Sequence, residues 1–214
     1  GTEVVLIGCR MEKFNMDLDE FLADSDNVGP SLYQWRLRLS DGSVEEGVMP
    51  AEIHHVDFPR INDSYMGRKT QYLYLAKLQH KELLLVPHMA PGGVPEHAPI
   101  PPESKSDEVC EILKCDLAGG GGVVSRYTCG PTESLGEPCF VPASKGTAED
   151  DGYIVTFVYD SETGRSQLLV LDARRLDSVV ALLALPQRVP YGFHGTWVGG
   201  EQIHSQRAIF QMQC

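Results

Sequence analysis

The chain has 214 residues, a formal net charge of −12 at pH 7, 42% hydrophobic residues and 22% charged ones. That size and balance fit one folded domain, or a large part of one, and exclude wholesale disorder. With no Lys/Arg run to offset the acidic excess, a phosphate backbone is excluded as partner: no nucleic acid is expected.

Taken in chain order, short alternating segments dominate. Glu3 to Cys9 is rich in β-formers, and Glu12 to Ala23 is a candidate helix. Leu32 to Leu39 alternates, meets Asp41-Gly42 and continues into Ser43 to Met49. This predicts a hairpin, because Asp-Gly supplies the positive φ that a tight turn needs. Gln71 to Leu78 alternates Tyr and Leu. Residues Gln79 to Asp107 break the pattern with six prolines (Pro87, Pro91, Pro95, Pro99, Pro101, Pro102) and read as a Pro-rich surface insertion at about 79–107. Its Leu83-Leu84-Leu85-Val86 run is a candidate peripheral membrane contact, weighed against an ordinary anchored loop.

Beyond the insertion, Ile112 to Asp116 passes through Gly119 to Gly122 into Val123 to Thr128, a second hairpin. Tyr153 to Tyr159, a turn at Ser161 to Gly164, and Ser166 to Leu171 form a third. Asp172 to Leu176 suggests a short helical turn; Val179 to Leu185 and Gly195 to Gly199 suggest two further strands. Repeated strands of five to eight residues with almost no helix indicate an all-β sandwich, barrel or propeller. The longest clean apolar run, Val179 to Leu185, falls far short of the ~20 residues a bilayer span needs.

Several clusters invite functional readings. Cys9, Cys110, Cys115, Cys129, Cys139 and Cys214 lack paired C-x2-C spacing and read as free thiols. Glu149-Asp150-Asp151-Gly152 lacks the spacing of a Ca²⁺ loop and reads as a solvated entry into the next strand. Gly119 to Gly122 has no Lys-Ser/Thr pair and no following helix, so it is no phosphate cradle. His54 and His55 point to opposite faces of a regular strand and cannot share one ion. They read as structural, with His80, His88 and His97; His204 reads as exposed. The imidazole of His194 stands in Val189-Pro190-Tyr191-Gly192-Phe193-His194-Gly195-Thr196-Trp197. Its apolar neighbours predict a buried, neutral ring, either bonded to a carbonyl or available to a metal.

One ordered series of segments narrows these options. It runs Asp57-Phe58-Pro59-Arg60-Ile61-Asn62, Gly67-Arg68-Lys69-Thr70-Gln71-Tyr72-Leu73-Tyr74-Leu75-Ala76 and Gly136-Glu137-Pro138-Cys139-Phe140-Val141-Pro142. It continues with Ala148-Glu149-Asp150-Asp151-Gly152-Tyr153 and Leu169-Val170-Leu171-Asp172-Ala173, and closes on the His194 segment. The series resembles the C-terminal part of the carotenoid cleavage dioxygenases, the carotenoid oxygenase family, and is most similar to plant and algal members such as the 9-cis-epoxycarotenoid dioxygenases. The resemblance implies roughly the last three blades of a seven-bladed β-propeller, with residues 1–214 the C-terminal part of that single domain.

It also implies a non-haem Fe(2+) cofactor on the propeller axis, bound by four histidines of which His194 is the last. The other three are expected upstream of Gly1, so this piece alone is expected to be inactive. Glu137 and Asp57 match positions whose carboxylates orient iron-bound imidazoles. The implied reaction is cleavage of a conjugated carbon–carbon double bond of a carotenoid or apocarotenoid by O2, giving two carbonyl products. A plastid or cytoplasmic location follows from the same resemblance. The alternatives are a non-catalytic β-propeller interaction module and an oxygenase acting on another conjugated alkene, such as a stilbene.

Overall fold

The computed structural model describes residues 2–12, 29–49, 53–78, 110–190, 192 and 194–203. The candidate helix after Glu12, the insertion with His80, His88 and His97, and His204 lie outside the described residues.

Three antiparallel sheets account for the described chain. The first holds β1 (Glu3–Arg10), β2 (Ser31–Arg38) and β3 (Val44–Val48) in that order. Its β2–β3 hairpin turns where expected: Gly42 sits at φ +71°, and Asp41 Oδ1 accepts the Ser43 N–H at 2.9 Å and the Ser43 hydroxyl at 2.6 Å. These bonds replace ladder partners that a tight turn removes.

The second sheet follows chain order, with β4 (Val56–Arg60), β5 (Tyr72–Lys77), β6 (Glu111–Asp116) and β7 (Gly122–Thr128). A short 3-10 turn at Asp63–Tyr65 is capped by Asn62 Oδ1, which accepts the Ser64 N–H at 3.1 Å. The third sheet contains β8 (Glu133–Leu135), β9 (Cys139–Pro142), β10 (Gly152–Asp160), β11 (Arg165–Asp172) and β12 (Arg175–Ala184). Its order is β12-β11-β10, and the far edge of β10 is shared by β8 near one end and β9 near the other.

Alternation along β5 explains how the sheets stack. Leu73 and Leu75 enter a core with Leu32, Ile53, Val56, Leu113 and Cys115, between the first and second sheets. Tyr74 and Ala76 enter the opposite core with Ile112, Ile154, Val158, Leu169 and Leu171, between the second and third sheets. Both faces of the middle sheet are covered, so its central strands are apolar on both sides. The Tyr74 hydroxyl, buried in that interface, donates to the Ala173 carbonyl at 2.9 Å and so stays satisfied.

Three expectations change. Asp172 to Leu176 is a tight turn between β11 and β12 rather than helix, held by Asp172 Oδ1 accepting the Arg174 N–H at 2.8 Å. Gly195 to Gly199 is not a strand; the backbone of Gly195 bonds to side chains instead of a ladder. The Glu149 cluster is not a solvated turn. Glu149 accepts the N–H groups of Gln71 and Tyr72, Asp150 pairs with Lys114, and the buried Asp151 carboxylate pairs with Arg174. The acidic run is therefore an inter-sheet fastener.

Cys9, Cys115 and Cys139 are free thiols, as read from their spacing. No helix among the described residues is long and apolar enough to cross a membrane.

Candidate metal-ligand site

The site begins with a break in a strand. Between Asp57 and Arg60 the β4–β5 pairing shifts: Asp57 faces Ala76 and Arg60 faces Tyr74, so Phe58 and Pro59 bulge out opposite one residue. Proline cannot donate to the ladder and disfavours helical backbone in the residue before it. Phe58 takes φ +57°, a conformation unusual for a bulky side chain. Asp57 Oδ1 accepts the Phe58 N–H at 2.7 Å, bracing the bulge. Two side chains are redirected by it. The ring of Phe58 meets the imidazole of His194 edge-on, with centroids 5.9 Å apart. The guanidinium of Arg60 reaches Glu137.

Glu137 follows β8 in Gly136-Glu137-Pro138, and its side chain is 8% exposed. Oε1 accepts from Arg60 Nε at 2.9 Å, lies 2.8 Å from Arg60 Nη2, and is 3.3 Å from His194 Nδ1. Oε2 accepts the Gly195 N–H at 2.5 Å. Arg60 Nη2 also donates to the Gly195 carbonyl at 2.5 Å. Burial by itself pushes the Glu137 carboxyl upward. The bonds from Arg60, Gly195 and His194 outweigh it, and the group titrates below the ordinary carboxylate range. The same pairing raises Arg60. Glu137 is thus a carboxylate, which can only accept, so the proton between it and His194 belongs to Nδ1. In the neutral ring Nε2 then keeps its lone pair.

Beside this network lies a cavity of about 360 Å³. Val155, Phe157, Leu168, Val189, Pro190 and Trp197 line it, with Glu137 and His194 at its polar side. The expectation of a buried ring is corrected here: the His194 side chain is 78% exposed and Trp197 is 52% exposed. Val189, Pro190 and Trp197 line the cavity, while the His194 ring beside it is largely exposed to solvent.

The structure brings His194 and Glu137 together. Asp57 Oδ1 accepts the N–H of the next residue, while Phe58 and Arg60 reach the imidazole and its partner. Arg60 has no reading in the sequence beyond membership of the Asp57–Asn62 segment. The available signal was Phe58-Pro59, which announces a bulge but not the direction of the residue after it. Among the described residues no group of three or more His, Cys, Asp or Glu side chains could hold a metal. An imidazole whose Nδ1 faces a carboxylate oxygen fits the role of one ligand in a larger set.

Residues 1–199 match the family model described as retinal pigment epithelial membrane protein. The chain belongs to this family, the carotenoid oxygenases. It is 36% identical over 209 residues to a carotenoid 9,10(9',10')-cleavage dioxygenase of Pisum sativum, covering 95% of this chain and 36% of that protein. It is 39% identical over 146 residues to a chloroplastic 9-cis-epoxycarotenoid dioxygenase of Arabidopsis thaliana, covering 68% of this chain and 20% of that one. The crystal structure of cobalt-substituted Synechocystis apocarotenoid oxygenase superposes with a TM-score of 0.68 at 25% identity, over 92% of this chain and 37% of that one. The matched part of the chain therefore spans from a fifth to just over a third of the length of these relatives. The three antiparallel sheets match the blade-type sheets of those β-propeller oxygenases, as the resemblance implied.

Proposed function

We propose that the polypeptide carrying this chain is a non-haem Fe(II) dioxygenase that cleaves a conjugated double bond of a carotenoid or apocarotenoid, and that His194 is one of its iron ligands. The observation that carries the reading is the contact of His194 Nδ1 with a carboxylate oxygen of Glu137. It fixes the tautomer that leaves Nε2 free to ligate, the arrangement in which metal-binding imidazoles are usually held. Family membership and the cleavage activities named for the relatives support the same substrate class.

When bound, ferrous iron supplies the activation of O2 that splits the polyene into two carbonyl products. This chain's own contribution is positional. Glu137 holds the imidazole by its proton, and the apolar cavity beside it suits hydrocarbon rather than water. Asp57 is assigned to the same supporting layer, where it acts through the bulge at Phe58 or through an imidazole supplied from outside the chain. Residues 1–214 are read as the C-terminal part of one propeller domain. The chloroplastic and chromoplastic names of several relatives favour a plastid location.

The test uses the full-length polypeptide, expressed with ferrous iron in carotenoid-accumulating bacteria. Bleaching with release of aldehyde or ketone products is expected, and His194→Ala should abolish it. Retained colour with no carbonyl product would refute the activity. An active His194→Ala variant would remove this residue from the ligand set.

A further inference from the structure

We infer that Arg60 is a positioning residue for the metal centre, setting the direction of the His194 ring through its hold on Glu137 and Gly195. The inference rests on the reading of His194 as an iron ligand. Arg60 and Glu137 grip Gly195 from both sides: Glu137 Oε2 takes its N–H and Arg60 Nη2 donates to its carbonyl. Both polar groups of the residue after His194 are thereby fixed, which limits the swing of the imidazole about its own backbone. The remaining edge of the guanidinium, through Nε, holds Glu137 Oε1, the atom facing His194 Nδ1. The planar guanidinium presents Nε and Nη2 to the carboxylate and the carbonyl in fixed directions, whereas a lysine offers a point charge without that directionality. The Phe58-Pro59 bulge turns Arg60 toward this task.

The experiment titrates metal-free, full-length protein with Co(II), recording affinity and the visible ligand-field bands. Wild type is compared with Arg60→Gln, Arg60→Lys and a control in another ion pair, Arg126→Gln, whose partner is Glu111. The expected result is a loss of Co(II) affinity on the order of 10–100-fold in Arg60→Gln, with shifted bands. Arg60→Lys should lie between that variant and wild type, and the control should match wild type. Should Arg60→Gln fail to fold, Arg60→Lys decides: weaker binding with shifted bands sustains the role. Wild-type affinity and bands in a folded Arg60 variant would overturn it. If wild type itself takes up no cobalt, the iron reading fails first, a result distinguishable from failure of the Arg60 inference.

Discussion

The Lys114 ammonium lies 2.7 Å from Asp150 Oδ2, joining β6 of the second sheet to the segment that leads into β10 of the third. The lysine side chain is only 3% exposed, donates again to the Arg174 carbonyl, and rests 4.1 Å from the ring centre of Tyr72. Each compensation matters, because a buried ammonium without partners is costly.

Lys114→Met should therefore destabilise the protein by about 3 kcal/mol, since it strands Asp150 and removes the cation from the Tyr72 face. Adding Asp150→Leu to that variant should recover part of the loss, because no unpaired charge then remains. Chemical denaturation of the two variants checks this; equal loss in both would contradict the pairing.

Glu149 accepts the backbone N–H of Gln71 at 2.9 Å and that of Tyr72 at 2.8 Å, closing the start of β5 from another sheet. Glu149→Ala leaves both donors without that partner and should cost about 1–3 kcal/mol. Amide hydrogen exchange at Gln71 and Tyr72 should quicken in the variant. Unchanged protection there would show that the cap is dispensable.

Gly152 opens β10 where β9 crosses closely. A β-carbon there would lie 2.4 Å from the Val141 carbonyl oxygen and 2.7 Å from the Phe140 ring. The oxygen belongs to the β9–β10 ladder and cannot yield, so Gly152→Ala should lower stability by about 1–3 kcal/mol. Gly47→Ala in β3, with nothing within 4 Å, should be near neutral in the same thermal melts.

The thiols of Cys9 and Cys115 are pushed up to about 12, both by burial and Cys9 additionally by the charge of Asp57. A raised folded-state value means stability is intact below the ordinary thiol value of 9.0 and declines as pH rises from there toward 12. In that window the unfolded chain has lost protons that the folded one keeps. Cys115→Ser should show a shallower alkaline decline in unfolding free energy. In the native protein at pH 8 neither thiol should react with an alkylating reagent, and both should react once it is unfolded.

Local chemistry explains which parts of this architecture were readable. The β2–β3, β6–β7 and β10–β11 hairpins were legible because alternation and turn residues such as Asp41-Gly42 act within a few positions. Short strands with no alternation of their own, β8 and β9, were not. They exist because β10 offers them a partner edge. The Glu149 run looked solvated for a similar reason: Lys114 and the N–H groups that satisfy it lie far along the chain. His194 and Glu137 were each singled out through the ordered segments, and the contact between them was not.

The sequence by itself determined an all-β chain, its main hairpins, and the identity of the histidine and carboxylates around which a site could form. The fold class and hairpins follow from side-chain period and turn stereochemistry, which are local, while the histidine and carboxylates were marked only by the resemblance of the ordered segments. Only the tertiary structure decided that Arg60 joins Glu137 and Gly195, that Asp57 braces a bulge, and that the His194 ring is largely exposed to solvent. Each depends on a register shift or on contacts between residues many positions apart, and such contacts exist only after the sheets have packed.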